Sequence, residues 1–151
     1  MTEPVTDPAA ANIDRAALWG TGVFVVTNVL AALVKQVQLV ALVVDLVLFV
    51  GGTGVMLWAL VVAANRSRER EMTMAGIFFL AGSAPRDVQR RLLGAFAVEV
   101  AVAFAVAIAH PSTALAFAIL VPVYGLALTG QWGARYGTFP PRKPAQKRRT
   151  R

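Results

Sequence analysis

The sequence predicts an all-α polytopic membrane protein, with four transmembrane helices and one short amphipathic cytoplasmic helix. Hydrophobic residues make up 57% of the 151 and charged residues only 15%, with a mean hydropathy of +0.61. A soluble domain carries roughly a quarter charged residues. The apolar residues are gathered into blocks of 17 or more, about the length a helix needs to cross the hydrocarbon core of a bilayer. The 15 Lys and Arg, which give a net charge of +7, fall almost entirely in alternate breaks between those blocks.

Residues 1–15, MTEPVTDPAAANIDR, are polar, proline-spaced and slightly acidic. They are expected to form a short disordered tail, with Asn12 or Asp14 capping the helix that follows. A cleaved secretory signal would begin with positive charge and carry a shorter apolar core, so the first span is expected to stay uncleaved. That span covers about 16–34 and places Trp19 in the interfacial aromatic belt. Lys35-Gln36-Val37-Gln38 is a tight turn into the second span, about 39–64, which contains Asp45 and the cluster Gly51-Gly52-Thr53-Gly54. Small residues let helices approach closely in lipid, so the cluster predicts a helix crossing. It lacks the spacing and the strand-to-helix context of a phosphate-cradling loop.

The loop 65–91 opens with NRSRERE, passes through MTMAGIFFLAGSAP and ends in RDVQRR. Its apolar middle is too short to span, and is expected to form a short helix in the headgroup region or beneath the bundle. Ser83-Ala84-Pro85 reads as a helix start, with a serine cap and a proline in the first turn. The third span, about 92–109, carries Glu99 near its middle. His110-Pro111-Ser112-Thr113 turns the chain into the fourth span, about 114–130, which Pro122 should kink. Trp132, Tyr136 and Phe139 form an aromatic exit. The remainder, 131–151, is basic, proline-interrupted and expected to be disordered.

Orientation follows from where the cations fall. With the N-terminus inside, the cytoplasmic segments hold Arg15, six arginines of the middle loop and seven Lys or Arg after Gln131, whereas the outer turns hold only Lys35. That bias sets both termini in the cytoplasm of a multi-pass inner (plasma) membrane protein. Arg142, Lys143, Lys147, Arg148, Arg149 and Arg151 are expected to lie against anionic lipid headgroups, each contributing about 1 kcal/mol. A nucleic-acid role would need a folded basic face with interleaved aromatics, and none is visible.

With no cysteine and one histidine, disulfides, thiolate metal sites and cysteine nucleophiles are excluded, and most histidine-based chemistry with them. No H-E-x-x-H helix is present, and Asp45 is the only aspartate inside a span. The expected protein is therefore not an enzyme and binds no cofactor.

The residues that call for an account are polar and deep. Asn28 and Asp45 lie at similar depth, about six residues from the outer ends of their spans, and Glu99 lies nearer the midplane. Helical periodicity puts Glu99, Ala103, Val106 and His110 on one face, and Thr21, Phe24, Asn28 and Lys35 on another. Together they suggest an outer-half polar seam of Asn28, Lys35, Asp45, Glu99 and His110, with Lys35 close enough to pair with Asp45. Such residues either hold helices together by hydrogen bonds worth about 1 kcal/mol each or form a proton or cation site.

Two segments, GSAPRDVQRRLLG (82–94) and LVPVYGLALTGQWGARYGTFPPR (120–142), resemble small uncharacterised four-span integral membrane proteins of high-GC bacteria. The resemblance implies a bacterial inner-membrane protein and no particular activity. Two functions fit the residues. One is an accessory or scaffold subunit docked to a larger membrane complex or to a second copy through small-residue faces such as Ala97, Ala101, Ala105 and Ala109. The other is a small oligomeric transporter coupled to protons through Glu99.

Overall fold

A computed structural model describes residues 7–142. Those residues form α1 (Pro8–Leu33), α2 (Gln38–Arg66), a short α3 (Met74–Phe78), α4 (Arg86–Ala109) and α5 (Pro122–Tyr136), with 3-10 turns at Lys35–Val37 and Ala114–Leu120. Four segments, Pro8–Leu33, Lys35–Arg66, Arg86–Ala109 and Ala114–Tyr136, are long and apolar enough to cross a membrane. The described residues are all-helical apart from one isolated antiparallel bridge, Arg70 to Pro141.

Packing turns small residues inward and large apolar ones outward. The buried face of α2 is Ala41, Asp45, Gly52, Ala59 and Ala63, while Leu39, Val43, Val47, Val50, Leu57 and Trp58 point outward. A soluble helix would show the reverse. Where the solvent is hydrocarbon, large side chains gain nothing by hiding, and small ones let backbones meet. Gly52 is that meeting point, because a Cβ there would lie 2.6 Å from the Tyr124 Cα of α5. Gly51 and Gly54 face open space, so only one glycine of the cluster makes the crossing.

α5 contacts all four other helices, and its second half is almost wholly buried, from Ala127 through Ala134. Trp132 packs with Ala10, Ala17, Leu80 and Leu92 at the arginine-rich end. Phe24, Ala31, Ala41, Val106 and Leu115 fill the hairpin end.

Several boundaries differ from those read in the sequence. α1 begins at Pro8, not near residue 16, because the Asp7 carboxylate accepts from Ala9 N at 2.9 Å and proline occupies the first turn. Asp-Pro is a helix start of the same kind as Asn12 or Asp14 would have been, and Ala10 and Ala17 gain burial from the earlier start. Residues 1–6 of the expected tail lie outside the described residues.

Ser83 does not cap α4. Its hydroxyl donates to Gly76 O, fixing the turn after α3, and Pro85 stands at the cap position without a side-chain cap bond. α3 is only five residues long, capped by Thr73, and Ile77 and Phe78 pack against Ala59, Ala63 and Ala134. Gly130 and Gly133 make room for it, since a Cβ on either would strike Phe78 or the Ile77 carbonyl. The chain then reverses through Leu80 (φ 56°) and Gly82 (φ 70°). A leucine in that region costs about 1–2 kcal/mol, and complete burial of Leu80 offsets it.

Pro122 breaks the fourth span where a kink was expected. Before it the chain is 3-10, capped by Thr113, and α5 starts afresh with Pro122 in its first turn. α5 also runs past Gly130 to Tyr136, so 131–136 is helix and not tail. Arg66 at the end of α2 explains the stop: its guanidinium donates to Ala134 O, to Arg135 O at 2.8 Å and to Gly137 O at 3.2 Å, taking up the last carbonyls of α5. Residues 137–142 fold back on the loop, with Thr138 N to Ser83 O at 2.9 Å and Glu71 N to Pro140 O at 2.9 Å.

Candidate functional site

The deep polar residues form two separate nodes, not one seam. In the deeper node Thr21 Oγ1 of α1 donates to Glu99 Oε1 of α4 at 2.7 Å, and Gly125 N of α5 donates to Glu99 Oε2 at 3.0 Å. Both carboxylate oxygens are thus engaged, and the residue is 0% exposed.

The reason for this geometry is the Pro122 break. A helix that starts inside a bundle leaves its first N–H groups without intrahelical acceptors, and in hydrocarbon no water takes their place. Glu99 supplies the acceptor from a neighbouring helix and complements the positive end of the α5 dipole. Gly125 is required by the approach, because a Cβ there would overlap Glu99 Oε2 and lie 3.2 Å from Phe96 Cα. Tyr124, one residue earlier, donates its hydroxyl to Ala16 O at 2.8 Å and ties the same turn to α1.

In the other node, nearer the Lys35–Val37 turn, Asn28 Nδ2 of α1 donates to Asp45 Oδ1 of α2 at 2.8 Å and to its own-helix carbonyl, Phe24 O, at 3.2 Å. Asn28 is 0% and Asp45 1% exposed. Asn28 Oδ1 and Asp45 Oδ2 are buried without a hydrogen-bond partner. Thr21 and Asn28 are two turns apart on α1, about 10 Å, and Phe24 lies fully buried between them on the same face.

The remaining predicted members stay outside both nodes. Lys35 is exposed in the 3-10 turn. The expected pairing with Asp45 is not among the ion pairs of the described residues, which join Arg91 to Asp14 (3.5 Å) and to Asp87 (4.0 Å). Asp45 sits two turns inside α2, about 10 Å from the turn, which is beyond a favourable reach for Lys35. His110 terminates α4 through its backbone, with His110 N to Val106 O at 2.9 Å. Arg142 is turned onto the loop, where its guanidinium donates to Ser67 O at 2.9 Å. Lys143, Lys147, Arg148, Arg149 and Arg151 lie outside the described residues.

Thr21 and Gly125 carry the Glu99 node, and sequence reasoning did not assign them to it. The signal was Pro122, since a proline at mid-span implies orphaned N–H groups and Glu99 is the only carboxylate in the apolar stretch 92–109 that faces it. A cavity of about 830 Å³ opens at the arginine-rich end, lined among others by Asp14, Asp87, Arg91, Trp132 and Tyr136. The Arg91 ion pairs span its wall, and the Trp132 and Tyr136 rings lie 5.8 Å apart. Among the described residues no three acidic or histidine side chains converge as metal ligands would.

No protein-family model matches the chain, and no curated protein or solved structure is significantly similar to it.

Proposed function

We propose that this chain is a multi-pass protein of a bacterial inner membrane, with both termini cytoplasmic, that serves as a non-catalytic accessory or scaffold subunit of a larger membrane complex. The observation that carries the reading is the use made of Glu99. The one glutamate within a span has both oxygens engaged by Thr21 and Gly125, so its role is to complete a broken helix. The cation bias supports the orientation. The basic end of the chain faces anionic headgroups, and nucleic acid is not a partner. Arg66 and the folded-back segment 137–142 make the arginine-rich end an ordered platform from which a partner can be held.

Affinity purification of the tagged full chain from native membranes in mild detergent tests the proposal. The expected result is a protein partner in stoichiometric amount that survives gel filtration. A chain that elutes alone at monomer mass would overturn it.

One observation favours a second reading. Transporters often place a discontinuous helix at the membrane midplane, with its half-helix terminus at a charged group, and Pro122, Gly125 and Glu99 reproduce that arrangement. A small oligomeric proton-coupled transporter would then use Glu99. Flux into proteoliposomes decides the matter: Glu99→Gln abolishes pH-dependent transport under this reading, and unchanged flux removes it.

A further inference from the structure

The three arginines ahead of the third span do not behave alike. Arg91 turns to Asp14 and Asp87. Arg86 and Arg90 make no ion pair among the described residues and stand exposed on the outer face of α4. With Gln89, Leu93 and Gly94 they form a shallow, open stretch of the α4 surface.

Along this surface the chemistry changes in order. Residues 86, 90 and 94 are spaced one turn apart, so the stripe runs about 12 Å from cation to cation to bare backbone. Gln89 beside the two arginines is held by its bond to Phe79 O at 3.1 Å. Gly94 has nothing within 4 Å of where a Cβ would be, leaving a shallow trough where α4 becomes apolar. Guanidiniums present forked donors that fit phosphate oxygens. Two unpaired guanidiniums followed by leucine and an open glycine match an anionic phospholipid, with its phosphate at the boundary and an acyl chain beyond it.

We infer that Arg86, Arg90 and Gly94 form a discrete site on α4 for one anionic phospholipid, its phosphate between the two arginines and its acyl chain over Gly94. The site rests on the proposed membrane orientation, and it is distinct from the diffuse attraction of the basic tail. Arg91, on the adjoining face, is withheld from the lipid by its two carboxylates.

The test uses the full chain in nanodiscs of mixed phosphatidylcholine and phosphatidylglycerol. The protein is then extracted into mild detergent, and native mass spectrometry counts the lipid that stays bound. The wild-type chain is expected to retain one phosphatidylglycerol. The R86Q/R90Q pair should lower that retention roughly tenfold or more, whereas R15Q/R68Q, with the same loss of charge elsewhere, should leave it unchanged. Gly94→Leu, which fills the trough with both arginines intact, should lower it too. Equal loss in both arginine pairs, equal retention of phosphatidylcholine, or displacement of the lipid by inorganic phosphate would overturn the assignment. Failure of the membrane reading would show separately, as a chain that enters nanodiscs of neither lipid.

Discussion

Replacing Asp45 by asparagine should leave the bundle as stable as before or make it more so. In the Asn28–Asp45 node one hydrogen bond joins the two side chains, and one oxygen on each, Asn28 Oδ1 and Asp45 Oδ2, is buried without a partner. A buried acceptor left unsatisfied costs about 1–3 kcal/mol. Asp45→Asn keeps an oxygen to accept from Asn28 Nδ2 and turns the orphaned second oxygen into an NH2 donor in a node whose other orphan, Asn28 Oδ1, is an acceptor. Hydrogen bonds between membrane helices average only about 0.6 kcal/mol, which limits the gain to roughly 1 kcal/mol. Asp45→Leu keeps the branched skeleton but replaces the two oxygens with bulkier methyl groups and has no acceptor. It strands the Asn28 amide and should cost about 2 kcal/mol. Asn28→Leu should cost a similar amount, and the double Leu variant less than the sum, because each single change leaves a widowed partner. Unfolding titrated with SDS in mixed micelles and followed by circular dichroism measures all four. Loss of more than about 1 kcal/mol in Asp45→Asn would refute the reasoning, since it would mean that the second carboxylate oxygen answers a group the two orphans do not reveal.

Other expectations are equally concrete. Gly125→Ala should destabilise by about 1–3 kcal/mol in the same titration, because its Cβ overlaps the Glu99 carboxylate. Glu99→Leu, which strands Gly125 N, should cost more than Glu99→Gln, which keeps an acceptor for it. Gly52→Ala should cost about 2 kcal/mol by pushing α2 off α5, whereas Gly51→Ala and Gly54→Ala, facing open space, should be neutral or gain about 0.5–1 kcal/mol. Arg66→Ala frees the C-terminal carbonyls of α5, and limited proteolysis should then cut within 137–142 faster than in the parent chain.

What could be read from the sequence was whatever depends on one helix at a time. Block length gave the four long apolar helices, and depth along a hairpin placed Asn28 beside Asp45. The Glu99 node was harder because one of its partners is a backbone N–H, which no residue letter marks, and it is free only because Pro122 restarts the helix. The Lys35–Asp45 pairing failed on reach: adjacency at a turn was read as contact, although Asp45 lies two turns inside α2. The start of α1 was missed because prolines in a polar segment suggest a tail, while Asp7-Pro8 is also a cap. The end of α5 was missed because basic, glycine-spaced sequence hid Trp132 and Ala134, whose burial depends on α1 and α3 coming from elsewhere in the chain.

The 3-10 stretch before Pro122 has a metric consequence. Seven residues at about 2.0 Å each reach roughly 14 Å, where the same seven in an α-helix would reach about 10.5 Å. With Val121 and the 15 residues of α5 added, this leg of the hairpin measures about 38 Å, close to the roughly 36 Å of the 24 residues of α4. The tighter but more drawn-out winding acts as a spacer that sets how deep α5 sits along α4. The same residues wound as a single α-helix would be about 3.5 Å shorter than the leg is, drawing Trp132 out of register with Leu80 and Leu92.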